Sequence, residues 1–135
     1  MRNNKKTIFI YGKENQIYMK HTIRIPIISP TGNELKRILY KTPYKYKELR
    51  TAWGWEFTVF KVSVGKAKGK RKVTVVSLRK KICDYDNFIA GLKPVFDAMQ
   101  DTGLIINDDA KYLEHGNHGQ FPGKKIETVI TIEDV

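Results

Sequence analysis

Residues 73–103 read VTVVSLRKKICDYDNFIAGLKPVFDAMQDTG, and the change of period inside this stretch decides the fold class. Val73 to Leu78 is an apolar, largely β-branched run of strand length. From about Asn87 to Asp101 the apolar residues Phe88, Ile89, Leu92, Val95, Phe96 and Met99 recur at helical spacing and form one face. Asp86 or Asn87 suits the N-cap and Gly103 is placed to end the helix. Pro94 opposes a regular helix, because it removes the bond to the carbonyl of Ala90 and should kink or loosen the first turns. A strand that runs into an amphipathic helix predicts an α+β domain with a mixed sheet and helices packed on it.

Outward from this stretch, Thr7 to Ile10 and Thr22 to Ile28 read as two early strands, with Ile23, Ile25 and Ile27 alternating as one buried face would. Gly12 to Asn15 supplies turn chemistry between them, and Pro30-Thr31-Gly32 ends the second. Tyr44 to Val64 carries both periods: Tyr46, Leu49, Trp53 and Phe57 suit a helix, whereas Trp53, Trp55, Phe57 and Val59 alternate as in a strand. The expectation is a helix, weakened by Gly54, that yields to extended chain near Phe60. Leu104 to Ile106 reads as a short strand, Asn107-Asp108-Asp109 as a turn and Ile126 to Ile132 as a final strand.

At 135 residues the chain suits one domain, and no apolar run approaches the ~18 residues of a membrane helix. Met1 to Lys6 leads into only a short apolar stretch with no small-residue cleavage site, and Cys83 has no partner for a disulfide. A reducing, cytoplasmic setting is therefore expected, with no membrane partner. The net charge of +11 favours a polyanion, and nucleic acid leads. Lys66, Lys68, Lys70, Arg71 and Lys72, interrupted by glycines, read as a mobile basic loop able to pair with phosphates; Arg79, Lys80 and Lys81 extend the basic character toward the acidic motif.

The residues with chemical potential begin at Asp84 and Asp86, two apart around Tyr85, which in extended chain would project from one side and share a cation. Helical spacing puts Lys93 two turns after Asp86 and Asp97 a turn further, on the polar face opposite Leu92 and Met99. Asp108 and Asp109 follow the next strand, whose return beside the first would add a third carboxylate. Hard oxygen ligands suit Mg2+, which activates water and neutralises phosphoryl charge, while a lysine stabilises the transition state. Each residue also has a plain structural use: turn former, N-cap, solvated ion pair or ordinary turn.

Taken in order, Asp84-Tyr85-Asp86-Asn87, an amphipathic helix with Lys93 and Asp97, Gly103, a short apolar strand and Asn107-Asp108-Asp109 resemble the RusA family of Holliday junction resolvases. The resemblance is specific from about Lys81 to Lys111 and general elsewhere. It implies a small homodimeric, magnesium-dependent endonuclease of bacteria or their phages, acting on branched DNA by paired incisions. It further implies that Asp84, Asp86 and Asp108 bind the metal, Asn87 completes the motif and Lys93 is the catalytic lysine. Lys93 lies farther from Asp86 than the family's lysine does, as if residues had been inserted around Ile89 to Gly91, and counting back from Asp97 restores the match. Asp109 is an additional acid beside Asp108, so either can be the third ligand.

Other signals carry less. His115-Gly116-Asn117-His118 reads as a polar loop, since Gly116 disfavours a helical two-histidine ligand face. Tyr44, Tyr46, Trp53 and Trp55 lie among Lys45, Lys47 and Arg50, where exposed aromatics would stack on unpaired bases, but core packing is the expectation for both tryptophans. The rival functions are a catalytically silent DNA-binding module, a nuclease selective for flaps or forks, and a structural protein with incidental DNA affinity.

Overall fold

The computed structural model describes residues 5–11 and 17–135, with side chains from residue 20 onward. Its strands are β1 (Lys5–Tyr11), β2 (Ile17–Ile25), β3 (Arg71–Arg79), β4 (Leu113–His115), β5 (Gly119–Pro122) and β6 (Glu127–Asp134). Its helices are α1 (Gly32–Lys41), α2 (Pro43–Val64), α3 (Tyr85–Ala90) and α4 (Lys93–Thr102). The strands form one sheet in the order β1-β2-β6-β3-β4, with β5 following β4 along the same edge of β3. Pairing is antiparallel from β1 through β3 and parallel where β4 and β5 join β3, which makes the sheet mixed and the domain α+β, as expected. The turn expected at Gly12 to Asn15 lies outside the described residues.

The core forms where the alternating strand residues meet the helical stripes. Ile23 and Ile25 of β2, Val73 and Val75 of β3, and Ile130 and Ile132 of β6 are buried in one cluster with Trp53 and Phe57 of α2 and with Val95, Ala98 and Met99 of α4. Along β3 buried residues alternate with half-buried ones, so helices cover one face of the sheet and the other stays partly open.

The helices correct the sequence reading in three places. First, α2 stays helical to Val64 because Trp53, Phe57, Phe60 and Val64 lie on one buried stripe; their burial outweighs the β-preference of the last residues. Second, the single helix expected from Asn87 breaks at Gly91-Leu92 into α3 and α4. Pro94 falls in the first turn of α4, where its missing N–H costs no hydrogen bond. Third, Leu104 to Ile106 is not a strand: the N–H groups of Leu104 and Ile105 both turn back to the Met99 carbonyl after Gly103, whose φ of 80° ends the helix.

The helix α1 was not anticipated. Its signal is Thr31-x-x-Glu34, where the Thr31 hydroxyl accepts from the Glu34 N–H and the Glu34 carboxylate from the Thr31 N–H. Among the described residues no helix is long and apolar enough to cross a membrane.

Two arginines of the expected basic surface are interior struts. Arg71, 4% exposed, donates to Asp134 and to the carbonyls of Val64, Gly65 and Leu104, tying the end of α2 and the chain after α4 to the sheet. Arg79, also 4% exposed, donates to the carbonyl and hydroxyl of Ser29 and to the Ser77 hydroxyl. Neither is available to phosphates. The segment between α2 and β3 is not a loose loop either, because buried Ala67 donates its N–H to the Gly103 carbonyl. Lys66, Lys68, Lys80 and Lys81 remain exposed and Lys70 half-exposed, while Lys72 pairs with Glu114 at 3.9 Å.

Candidate active site

The acidic motif sits where the chain leaves β3 and enters α3. Gln120 of β5 holds this connection from both sides: its side-chain oxygen accepts the Cys83 N–H at 3.1 Å and its amide donates to the Cys83 carbonyl. Asp84 follows as the N-cap of α3, with φ −64° and ψ 155°, and its carboxylate accepts the Asn87 N–H at 3.3 Å. Asp86 is already helical, in the first turn of α3. The aspartates therefore do not alternate along a strand. They nonetheless line one hollow of about 300 Å³, together with Lys36 of α1. Asn87 is structural as well as part of the motif, since its side-chain oxygen accepts the Asn33 N–H at 2.8 Å and docks the start of α1 against α3.

Lys93 and Asp108 line a second hollow, of about 330 Å³, and Ala90 contributes to the walls of both. Lys93 opens α4 instead of sitting mid-helix. Its ammonium lies 3.2 Å from Asp97, which is 8% exposed and so not on a solvated face. Asp97 also accepts from the Tyr46 hydroxyl and lies 3.8 Å from Arg50. Burial, then the bond to Asp97, holds the Tyr46 phenol well above its ordinary pKa, so it stays a donor. Arg50 in turn grips Asp101 through two bonds and keeps that carboxyl below its usual range.

The two acids at the expected third position have different duties. Asp109 accepts the N–H groups of Lys111 and Tyr112 and so closes its own turn, whereas Asp108 lines the hollow with Lys93. Among the described residues no group of three or more His, Cys, Asp or Glu side chains is gathered as a metal site. Asp84 and Asp86 share one hollow and Asp108 belongs to its neighbour. Two oxygen-donor side chains still fit Mg2+, which commonly keeps several waters and takes one or two protein carboxylates with substrate phosphate.

The histidines expected in a plain polar loop belong to the Lys93 hollow. Between β4 and β5 the edge of β3 has no strand partner among the described residues, and there the Val75 N–H donates to His118 Nδ1 at 2.9 Å. Gly116 makes this crossing possible, because a Cβ at that position would lie 1.9 Å from Thr74 Oγ1. His118 Nε2 lies 2.9 Å from His115 Nδ1, and the ring of Phe96, one turn after Lys93 on α4, packs against both imidazoles. The signal for this pair was the glycine between two histidines close in sequence; what was missing was that the pair crosses the edge of β3.

Of the aromatics among the basic residues of α2, Trp53 is fully buried as expected, while Trp55 is 72% exposed, contrary to its expected place in the core. No family model and no curated protein sequence matches this chain. The protein is thus defined by its α+β fold and by two adjoining hollows, one between α1 and α3 that holds Asp84 and Asp86 and one beside α4 that holds Lys93, Asp108 and two histidines.

Proposed function

We propose that this protein is a magnesium-dependent endonuclease that resolves four-way DNA junctions by paired phosphodiester hydrolysis, acting as a homodimer in a bacterial cell or phage-infected host. The observation that carries the reading is the adjacency, across Ala90, of a hollow lined by Asp84 and Asp86 and one lined by Lys93 and Asp108. The resemblance of the same residues, in the same order, to the RusA family adds the substrate.

Asp84 and Asp86 are the residues that would hold Mg2+, with Asp108 at the neighbouring wall. When bound, the metal supplies an activated water and neutralises phosphoryl charge. Lys93 offers ammonium donors to the charge developing on the phosphate, while its contact with Asp97 restrains the side chain. Lys36 adds a positive charge at the acidic hollow, where it would pair with a phosphate of the bound strand. Two copies related by a twofold axis present two such sites to opposed strands.

The test is incubation of the protein with a labelled four-way junction and a matched linear duplex, with Mg2+ or with chelator, beside Asp86→Asn. Paired nicks confined to the junction and dependent on both Mg2+ and Asp86 are expected. Flaps and forks at matched salt separate a nuclease of other specificity.

The capping of α3 by Asp84 favours a second reading, a DNA-binding module in which the acids serve the helix alone. That reading predicts salt-sensitive junction binding indifferent to Mg2+, with no cleavage under any divalent metal.

A further inference from the structure

The two imidazoles beside Lys93 have a defined hydrogen-bond polarity. Val75 N–H donates to His118 Nδ1, so in the neutral ring the proton is on Nε2. His118 Nε2 faces His115 Nδ1 at 2.9 Å, so this proton is donated to His115 Nδ1, and the neutral His115 ring must carry its own proton on Nε2. The same logic excludes a metal clip. A cation bound between the rings would need the lone pair of His118 Nε2, which a neutral imidazole offers only when Nδ1 bears the proton, and Nδ1 is already taken as an acceptor. Phe96 packs edge-on against His115, with ring centres 5.0 Å apart, and restrains the exposed ring in this orientation.

We propose that His115, fixed as the Nε2–H tautomer by the chain Val75–His118–His115, is a phosphate-binding residue that donates a hydrogen bond to a phosphodiester oxygen in the hollow it shares with Lys93. His118 is a positioning residue that acts only through His115. The pairing suits a phosphodiester because Lys93 supplies charge and His115 a directional neutral donor, and two donors of different kind orient one phosphate better than a single ammonium. The inference rests on the DNA-cleaving reading for its substrate, while the tautomer assignment stands apart from it.

The experiment combines long-range proton–nitrogen correlation spectra of the imidazoles in the intact protein with junction binding and cleavage by His115→Gln and His115→Ala. Glutamine keeps an N–H donor near the Nε2 position and alanine removes it. Both rings are expected as Nε2–H tautomers, with the His115 signal shifting when an uncut four-way junction is added in chelator. His115→Gln should stay within a few-fold of wild type, and His115→Ala should lose about ten- to a hundredfold in cleavage rate. His118→Phe should release His115 into a mixture of tautomers.

An Nδ1–H tautomer at His115, or a His115 signal unmoved by bound junction, overturns the proposal. So does His115→Ala cutting at the wild-type rate; if Asp86→Asn is then dead, the nuclease reading survives without the histidine. A wild-type protein that shifts His115 on binding the junction but never cuts it supports the phosphate contact and sinks the nuclease reading instead.

Discussion

Lys93 Nζ lies 3.2 Å from Asp97 Oδ2 within the first turn and a half of α4, so the lysine expected to act on substrate is tethered to a carboxylate that is itself 8% exposed. The partners are unequal in structural weight. The Lys93 side chain is 53% exposed, whereas Asp97 gathers Tyr46, Arg50 and Lys93 from two helices. Asp97→Asn should lower unfolding stability by about 1–3 kcal/mol, because the buried bonds lose their charge assistance. Lys93→Ala should unfold within about 0.5 kcal/mol of wild type yet cut roughly 10²–10³-fold more slowly. Urea unfolding and single-turnover cleavage measure the two effects separately, and a Lys93→Ala protein with wild-type rate would remove the lysine from the mechanism.

The acidic pair separates in the same way. Asp84 caps α3, so Asp84→Ala should cost about 1 kcal/mol, while Asp84→Asn keeps a capping oxygen and most of that stability. Asp86 makes no cap and is exposed, so Asp86→Asn should leave stability nearly unchanged. Both asparagine variants should lose Mg2+-dependent cleavage. Thermal unfolding followed by cleavage across a Mg2+ titration checks this, and full activity in Asp84→Asn would reduce Asp84 to its capping role.

Stability should also depend on His118. Burial, and then the neighbouring His115, push its imidazole down from 6.5 to about 4. The unfolded chain therefore binds a proton below about pH 6.5 that the folded protein refuses. Stability from this residue is complete above the unfolded value and falls as pH drops from there toward 4, by a few kcal/mol at most. Urea midpoints between neutral pH and pH 4.5 should decline less steeply in His118→Phe than in wild type, once the carboxylate contribution common to both is removed. Equal slopes would mean that His118 titrates normally when folded.

Charge at the surface and charge in the interior should respond oppositely to substitution. Arg71→Ala leaves the carbonyls of Val64, Gly65 and Leu104 without their donor and should destabilise the fold by about 3 kcal/mol or more. Alanines at Lys66, Lys68 and Lys70 should unfold normally but weaken DNA binding and flatten its salt dependence, by a slope of about 0.9 for each phosphate no longer neutralised. Junction affinity measured across a salt series decides it; an unchanged slope would place the DNA elsewhere on the molecule.

The local chemistry of this chain is written plainly in its sequence. The apolar alternation of Ile23 and Ile25 and the run from Val73 to Leu78 set strands, the stripe from Phe88 to Met99 set helix though not its break at Gly91-Leu92, and Gly103 set its end, because each depends on neighbours within a turn or a strand pair. The Thr31–Glu34 capping box was equally local and equally legible. The division of duty at the site was not local. Arg71 and Arg79 read as surface charge until the packing of distant segments surrounds them with carbonyls, and Asp97 reads as a solvated partner until α2 covers it. Asp108 and Asp109 are indistinguishable along the chain; one closes a turn and the other lines a hollow. His118 takes the place of a strand partner at the open edge of β3, and through that bond a backbone amide far away in sequence sets where the protons of two imidazoles reside. Sequence by itself determined the fold class and most of the strands, since periodicity acts over a few residues, whereas the full length of α2 and the break between α3 and α4 follow from burial and from the hydrogen bonds made at Gly91 and Leu92. Only tertiary structure decided which charges are buried and which face a hollow, because burial and tautomer depend on groups that the chain brings together from far apart.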